Sequence, residues 1–495
     1  MKGNEMDNTR RDFLKGTAWM GAAAFMAGCR FDKVLGAATT GAPMQGFRVP
    51  PMKRIRLGLA GLGNRGLWAL QRLAVVPGVE VVSIADLHEG RVQAAQKWLK
   101  ENKHPEAKFG FFGADAHRKM LDKGGIDVCY VVTNWQSHVP IALEAMGKGC
   151  HAFVEVPAAF TLDQCWEFVE TSERTKRMCM QLENCCYGET EMLALNLCRS
   201  GLLGELVHGE AAYIHDLRSN YDWDLAESKK QAGLTNGEQQ EMWRLHWNME
   251  HKGNQYPTHG LGPVCQYMSI NRGDRFDHLV SLESDQRNFE AYAKAKYGAD
   301  HWKAKLKVAM GDMNMTLIKT VRGRSILVEH DVSSPRPYSR LNTITGTKGI
   351  LTDYPYRVTF ADKPGDAATH EYFDEKKAEE VRKRYMHPIW KHAGPVAATV
   401  GGHGGMDFIM DLRWAYCLQN GLPLDTDVYD LATWCSVCEL SERSVRGGST
   451  PQACVDFTRG AWRTAPEFGI YDIDISKMPF SKEQLDAVAK GAMEV

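Results

Sequence analysis

Ile55-Arg56-Leu57-Gly58-Leu59-Ala60-Gly61-Leu62-Gly63-Asn64-Arg65-Gly66 is the stretch that decides the fold. Its first six residues form a short apolar run, which predicts a buried strand. Gly61, Gly63 and Gly66 then fall at the spacing Gly-x-Gly-x-x-Gly. An amphipathic segment follows, with Leu67, Leu70, Leu73 and Ala74 on one face. Val79 to Ala85 predicts a second buried strand ending in Asp86, about 20 residues beyond the glycines. A glycine turn between strand and helix, with an acid closing the next strand, predicts a Rossmann nucleotide site. The first glycine allows the tight turn, and the second lets backbone approach a pyrophosphate at the helix N-terminus. Asp86 can bond both ribose hydroxyls and would repel a 2′-phosphate, so NAD is favoured over NADP.

Outward from this unit the pattern repeats. Arg91 to Lys100 predicts a helix, Ile126 to Thr133 a buried strand, Val139, Leu143 and Met146 another helix, and His151 to Val156 one more strand. Strands alternating with helices predict a doubly wound parallel sheet. After about Asn184 the texture changes. Leu206 to His215, Met313 to Val321, Ser325 to His330, Asn342 to Gly346 and Gly349 to Thr352 predict a mostly antiparallel sheet in a second, α+β domain. Tyr221 to Gly262 reads as a long irregular, aromatic-rich segment, which in a compact chain points to function. The expected division is 1–46 signal and linker, 50–184 NAD-binding Rossmann domain, and 185–495 substrate-binding α+β domain.

The 495 residues are 44% hydrophobic and 24% charged, with a net charge of −1. That balance excludes a basic nucleic-acid surface and favours a small or neutral partner. None of the 13 cysteines forms a zinc-type pairing of Cys-x-x-Cys motifs, and no metal site is expected. Cys185-Cys186 and Cys435/Cys438 read as buried small hydrophobes. No motif specifies an oligomer.

The N-terminus differs in kind. Arg10-Arg11 precedes Phe13-Leu14-Lys15 and a weakly apolar run, Thr17 to Ala27, too short to span a bilayer. This predicts twin-arginine export to a periplasmic or cell-surface location. Met26-Ala27-Gly28-Cys29 resembles a lipobox with Cys29 lipidated; cleavage between Gly36 and Gly46 is the alternative.

Further motifs narrow the reading. Thr133-Asn134-Trp135-Gln136-Ser137-His138 ends a parallel strand, where ligands bind in open α/β sheets, and Glu155-Val156-Pro157 follows the next strand. For Trp135 a core position is the alternative, and for His138 a helix N-terminus. With Glu183-Asn184-Cys185-Cys186-Tyr187, Gly204-Glu205-Leu206-Val207-His208-Gly209, His215-Asp216-Leu217-Arg218, Tyr256-Pro257-Thr258-His259-Gly260, Arg336-Pro337-Tyr338 and Gly402-His403-Gly404-Gly405-Met406-Asp407, the chain resembles the Gfo/Idh/MocA oxidoreductases. Within them it resembles glycoside hydrolase family 109, the NAD-dependent α-N-acetylgalactosaminidases. Dehydrogenases of the wider family read Glu-Lys-Pro where this chain has Val156. Gln255 stands where an acid is expected a helical turn before the histidine. His259 remains.

The resemblance implies a retaining exo-glycosidase acting on a small-molecule or glycan substrate with a terminal N-acetylhexosamine. The implied route is oxidation at C3, elimination, water addition and re-reduction. It departs from the paired carboxylates of ordinary glycosidases, and no such pair is identifiable from sequence. His259 suits the C3 proton, and Tyr187 suits a base at C2 if neighbours lower its pKa. Carried over by residue, Gly61, Gly63, Asn64, Arg65, Gly66, Asp86, Trp135, Gln136, Ser137, His138, Glu155, Val156 and Asn184 bind the cofactor. Tyr213, Arg244, Tyr256, Pro257, Thr258, His259 and Tyr338 bind the sugar. Strand packing is the alternative for Tyr213 and Tyr338, and a solvated ion pair for Arg244. His403 and Asp407 read as either a support to the site or a helix cap. The competing functions are a sugar dehydrogenase with net NAD turnover and a protein that holds NAD without chemistry.

Overall fold

The computed structural model describes residues 43–218, 243–361, 370–467, 470 and 473. Signal, lipobox and cleavage expectations fall on residues outside these. From Pro43 onward the described chain forms one compact unit.

Six strands build the first sheet: β1 (Ile55–Ala60), β2 (Val79–Asp86), β3 (Phe109–Phe112), β4 (Val128–Val131), β5 (His151–Val154) and β6 (Cys179–Gln181). Their order is β3-β2-β1-β4-β5-β6, and every pairing is parallel. The inner strands are apolar because helices cover both faces; Ile55, Leu57, Leu59 and all of Val128–Val131 are buried. Strand order reverses between β1 and β4, so a crevice opens at their carboxyl ends. Gly61, Thr133, Glu155 and Glu183 follow strands at that edge, and Asp86 ends one.

The second sheet contains β7 (Leu206–Ile214), β8 (Phe276–Glu283), β9 (Asn314–Thr320), β10 (Ser325–Asp331), β11 (Thr343–Gly346), β12 (Gly349–Thr352), β13 (Arg357–Phe360) and β14 (Gln452–Ala453). Its order is β13-β12-β11-β7-β10-β9-β8-β14. All its pairings are antiparallel except β7 with β10, which places Tyr213 beside His330. The sheet is therefore mixed and mostly antiparallel, as the alternating strands imply.

Of the stretch Tyr221 to Gly262 read as irregular, Tyr221 to Met242 lies outside the described residues, and the described remainder is corrected by two helices, Trp243–Glu250 and Thr258–Tyr267. The second presses directly onto β7. A side chain at Gly260 would run into the Ala212 backbone, and Gly209 faces Val264 and Met268. Small residues at this crossing bring His259 against Tyr213. The helix Met406–Asn420 returns from the second region to the first sheet. There Arg72 Nε donates to Asp411 Oδ2 at 3.2 Å, and the Tyr130 hydroxyl donates to Asp411 Oδ1 at 3.0 Å. Among the described residues no helix is long and apolar enough to cross a membrane.

Candidate active site

A cavity of about 710 Å³ lies at the carboxyl edge of the first sheet, lined by Gly61, Gly63, Asn64, Arg65, Asp86, Thr133, Asn134 and Ser137, and from the other side by Arg244 and His403. Gly61 has φ +98°, and a Cβ there would run into the Val132 carbonyl. A Cβ at Gly66 would run into the Gly61 carbonyl, so the third glycine seats the helix on the strand. The helix Asn64–Leu73 begins at Gly63 with no side-chain cap, leaving its first N–H groups to an anion. Asp86 Oδ2 accepts from Leu62 N at 2.6 Å and Oδ1 from His88 N at 2.8 Å. The carboxylate is thereby fixed where a ribose would lie. Cavity size, uncapped helix and oriented acid all fit a dinucleotide.

The remaining cofactor-side residues divide. Arg65 leans away from the helix to bind Glu155 Oε1 at 2.6 Å and Asp407 Oδ2 at 2.6 Å. Asn184 Nδ2 donates to Asp407 Oδ1 at 2.5 Å. Val156 is buried, and its N–H donates to Glu155 Oε2 at 3.2 Å. Trp135 is buried among Phe160, Trp243, Trp247 and Tyr256. Gln136 is exposed and does not line the cavity. His138 is a correction: its ring is buried, with Nδ1 3.0 Å from the Pro157 carbonyl and Nε2 3.1 Å from that of Thr133. Burial pushes its pKa down. The ring buttresses the backbone that shapes the crevice, and its side chain does not face a cofactor.

The sugar-side residues form one cluster. His259 Nδ1 lies 2.7 Å from Glu183 Oε1. Burial pulls the Glu183 carboxyl upward, but His259, the Thr258 hydroxyl and the Cys185 N–H together hold it below the usual carboxylate range. An ionised carboxylate only accepts, so Nδ1 carries a hydrogen and Nε2 is the ring atom left to exchange a proton. The ring of Tyr213 stacks on Tyr256 at 4.4 Å and meets His259 edge-on at 5.3 Å. Its hydroxyl bonds His215 Nδ1 at 2.9 Å. Burial raises the Tyr213 phenol, and Arg244 opposes that rise. Burial, Arg244 and His259 all push His215 down. The Arg244 guanidinium lies over Trp135 at 4.9 Å and Tyr256 at 5.4 Å, between cavity and cluster. Tyr338 reaches the cluster edge, its hydroxyl accepting from Arg340 at 3.1 Å. Pro257 and Thr258 start the helix that carries His259.

Tyr187 does not belong to this cluster. It is fully buried, its hydroxyl donates to Asp425 Oδ2 at 3.1 Å, and Asp425 is held by Arg413. Burial and then Asp425 push the phenol well above its ordinary value, the reverse of what a base needs.

Sequence reasoning missed Glu183 and His215 as functional groups. Gln255 is structural here, accepting from Trp247 Nε1 at 2.9 Å. The carboxylate partner of His259 comes instead from the loop after β6. Donor atoms of Glu183, Cys185 and His259 lie within 4.8 Å of one another. They already bond among themselves, Cys185 N–H to Glu183 Oε1 at 3.1 Å included. Burial keeps the Cys185 thiol protonated. All the described cysteines are free.

Residues 55–182 match the family model "Oxidoreductase family, NAD-binding Rossmann fold", and residues 187–464 match "Glycosyl hydrolase 109, C-terminal domain". An α-N-acetylgalactosaminidase from Bacteroides fragilis is 46% identical over 84% of this chain and 95% of its own length. One from Shewanella oneidensis is 42% identical over 93% and 98%. Among solved structures, a levoglucosan dehydrogenase in complex with NADH and levoglucosan superposes with a TM-score of 0.59 at 17% identity, covering 81% of this chain and 100% of that one. The likeness to that enzyme is one of fold. The first sheet is thus an NAD-binding Rossmann domain.

Proposed function

The chain belongs to glycosyl hydrolase family 109, and from that premise we propose that it removes terminal α-linked N-acetylgalactosamine as a retaining exo-glycosidase. The observation that carries this reading is the His259–Glu183 pair set against Tyr213 beside the dinucleotide cavity, with no lysine at position 156. Gly61, Gly63, Asn64 and Asp86 would hold NAD there. Bound NAD would supply reversible hydride transfer at C3, making a ketone that acidifies C2.

The chain's own groups move the protons. Glu183 fixes the His259 tautomer, so Nε2 takes the C3 hydroxyl proton. Tyr213 differs from Tyr187 in facing a neutral imidazole and the Arg244 cation, which opposes the rise burial gives its phenol, where Tyr187 faces a carboxylate. Its Oη takes the C2 proton in concert with passing its own to His215 Nδ1, 2.9 Å away. Arg244 puts positive charge beside the oxygen on which enolate charge develops. Tyr256, stacked on Tyr213, keeps water from that face. After elimination at C1, the same groups return protons in reverse order as water adds. Val156 has no proton to move, which disfavours a dehydrogenase with net NAD turnover.

The test uses purified protein, an aryl α-N-acetylgalactosaminide and no added NAD. Aryl release without accumulating NADH is expected. Accumulation of NADH, or no release, overturns the reading. Twin-arginine export through Arg10-Arg11 and an anchor at Cys29 remain proposals of the sequence. They suit an enzyme that recycles its cofactor within each turnover.

A further inference from the structure

Tyr338 and Arg340 stand on either side of a point where the chain is pinned to the end of β7. Ser339 pairs with Ile214 in an antiparallel bridge, each N–H donating to the other's carbonyl, at 3.0 and 3.1 Å. Residues two apart on an extended segment share a face, so Tyr338 and Arg340 turn the same way. That face meets the site: the Tyr338 ring contacts His215 edge-on at 5.2 Å and Tyr213 at 6.3 Å.

Arg340 is buried, and its three nitrogens are shared between two partners. Nε and Nη2 both donate to Glu191 Oε1, at 2.8 and 2.5 Å, and Nη1 donates to the Tyr338 hydroxyl at 3.1 Å. Glu191 is buried too, in the first turn of the helix Glu189–Arg199. A guanidinium stays charged and only donates. The Tyr338 oxygen must therefore accept on the side facing Arg340, and its hydrogen turns away. Among the described residues no acceptor takes that hydrogen. Of the three tyrosines in the cluster, Tyr213 and Tyr256 are buried, while Tyr338 is 37% exposed. Its hydrogen is left for a ligand.

The proposed chemistry says which part of the ligand is close. Tyr213 Oη takes the hydrogen on C2, and the C2 substituent hangs from the same carbon. Tyr338 packs against both Tyr213 and His215, so its donor faces that substituent. An acetamido carbonyl is a strong acceptor with no hydrogen of its own. A 2-hydroxyl can accept, but less strongly. A free 2-amine is an ammonium near neutral pH; it offers only donors and would meet the positive charge behind the phenol.

We propose that Arg340, anchored on Glu191, is a positioning residue that holds the Tyr338 hydroxyl as a donor toward C2, and so selects an acetamido group there over a hydroxyl or a free amine. This rests on the reading that the cluster acts on a terminal N-acetylhexosamine. The selectivity then lies in the polarity of one hydroxyl, set by a cation that does not touch the sugar.

The test compares kcat/KM on aryl α-glycosides of N-acetylgalactosamine, galactose and galactosamine, for wild type, Tyr338→Phe and Arg340→Lys. Lysine keeps a charge for Glu191 but lacks the fork that serves both partners. Wild type should favour the acetamido substrate over the other two. That preference should fall ~5- to 100-fold in Tyr338→Phe, the scale of leaving a buried acceptor unpaired. It should fall ~3- to 10-fold in Arg340→Lys, where the phenol remains but is no longer oriented. Both losses should appear in KM more than in kcat, because the acetamido group is bound before and during reaction alike. Thermal melting checks the fold. If Arg340→Lys melts early, Arg340→Met combined with Glu191→Met removes both charges together and takes its place. An unchanged preference in Tyr338→Phe, or equal losses on all three substrates, overturns the proposal. So does a preference that falls in Tyr338→Phe but stays at the wild-type value when Arg340 is changed, or a wild type that treats the three substrates alike. A wild type that releases aryl from none of them, or only as NADH accumulates, overturns the glycosidase reading, and this proposal with it.

Discussion

Replacing Glu183 by Gln tests whether the buried carboxylate sets the chemistry of His259. The two groups are 2.7 Å apart, and the Glu183 side chain has no solvent exposure. Gln keeps the volume, and because the Cys185 N–H and His259 Nδ1 converge on one oxygen, the amide either accepts from both or turns its NH2 to Nδ1 and gives up the Cys185 N–H. It removes the charge, and its amide can donate to Nδ1, which would move the imidazole hydrogen to Nε2. A hydrogen bond to a charged group contributes about 1.5–3 kcal/mol, or roughly 10- to 150-fold in rate if it acts in the transition state. Inverting the tautomer adds to this, as a carboxylate-to-amide change does in serine protease triads, where the cost is about 10⁴. We expect kcat on an aryl α-N-acetylgalactosaminide to fall ~10²- to 10⁴-fold, with KM and bound NAD unchanged. Initial rates and the mass of nucleotide released on denaturation measure both. A kcat within about threefold of wild type, in protein that still holds NAD, would refute the tautomer argument. Loss of NAD alongside activity would assign Glu183 to holding the fold.

Four further outcomes follow, three from the geometry and the last from the sequence. Tyr213→Phe should lower turnover by ~10²-fold or more. Tyr187→Phe should keep turnover and lose thermal stability, because Asp425 loses a donor in the core; equal kinetic losses in the two would return Tyr187 to the mechanism. Asp86→Ser should shift binding from NAD toward NADP, since Arg91, 3.7 Å from that carboxylate, is then released to meet a 2′-phosphate; continued exclusion of NADP from an equimolar mixture would dismiss Arg91. Changing Arg10 and Arg11 to Lys should leave active, NAD-loaded protein inside the cell, and undiminished export measured by fractionation would dismiss the twin-arginine reading.

The first sheet was legible because its signals are local. A strand, a glycine turn, a helix and a closing acid follow one another within about 30 residues. Weaker strands escaped notice: β6 has three residues, and β3 holds a glycine among exposed phenylalanines. The site was legible in membership more than in role. Periodicity shows neither which way a tyrosine in a one-turn helix points, nor that the partner of Tyr187 lies at Asp425 while that of His259 lies at Glu183. His138 misled for a related reason, since a helix N-terminus offers a ring both the crevice and the backbone behind it. The helix Trp243–Glu250 was obscured by tryptophan and histidine, which serve a core and a ligand surface equally well.

The join between the two sheets limits how this enzyme can be recombined. Glu183 and Asn184 leave the last strand of the first sheet, yet Glu183 governs a histidine 76 positions later and Asn184 grips a carboxylate 223 positions later. A crossover placed at residue 184, the natural seam by strand pattern, would separate the tautomer-setting acid from its imidazole and the Asn184 amide from its anchor. Chimeras that trade one parent's nucleotide half for another's should therefore bind dinucleotide yet turn over poorly. They should recover only when the 183–187 loop travels with the catalytic half, so an exchangeable module of this architecture begins before the seam.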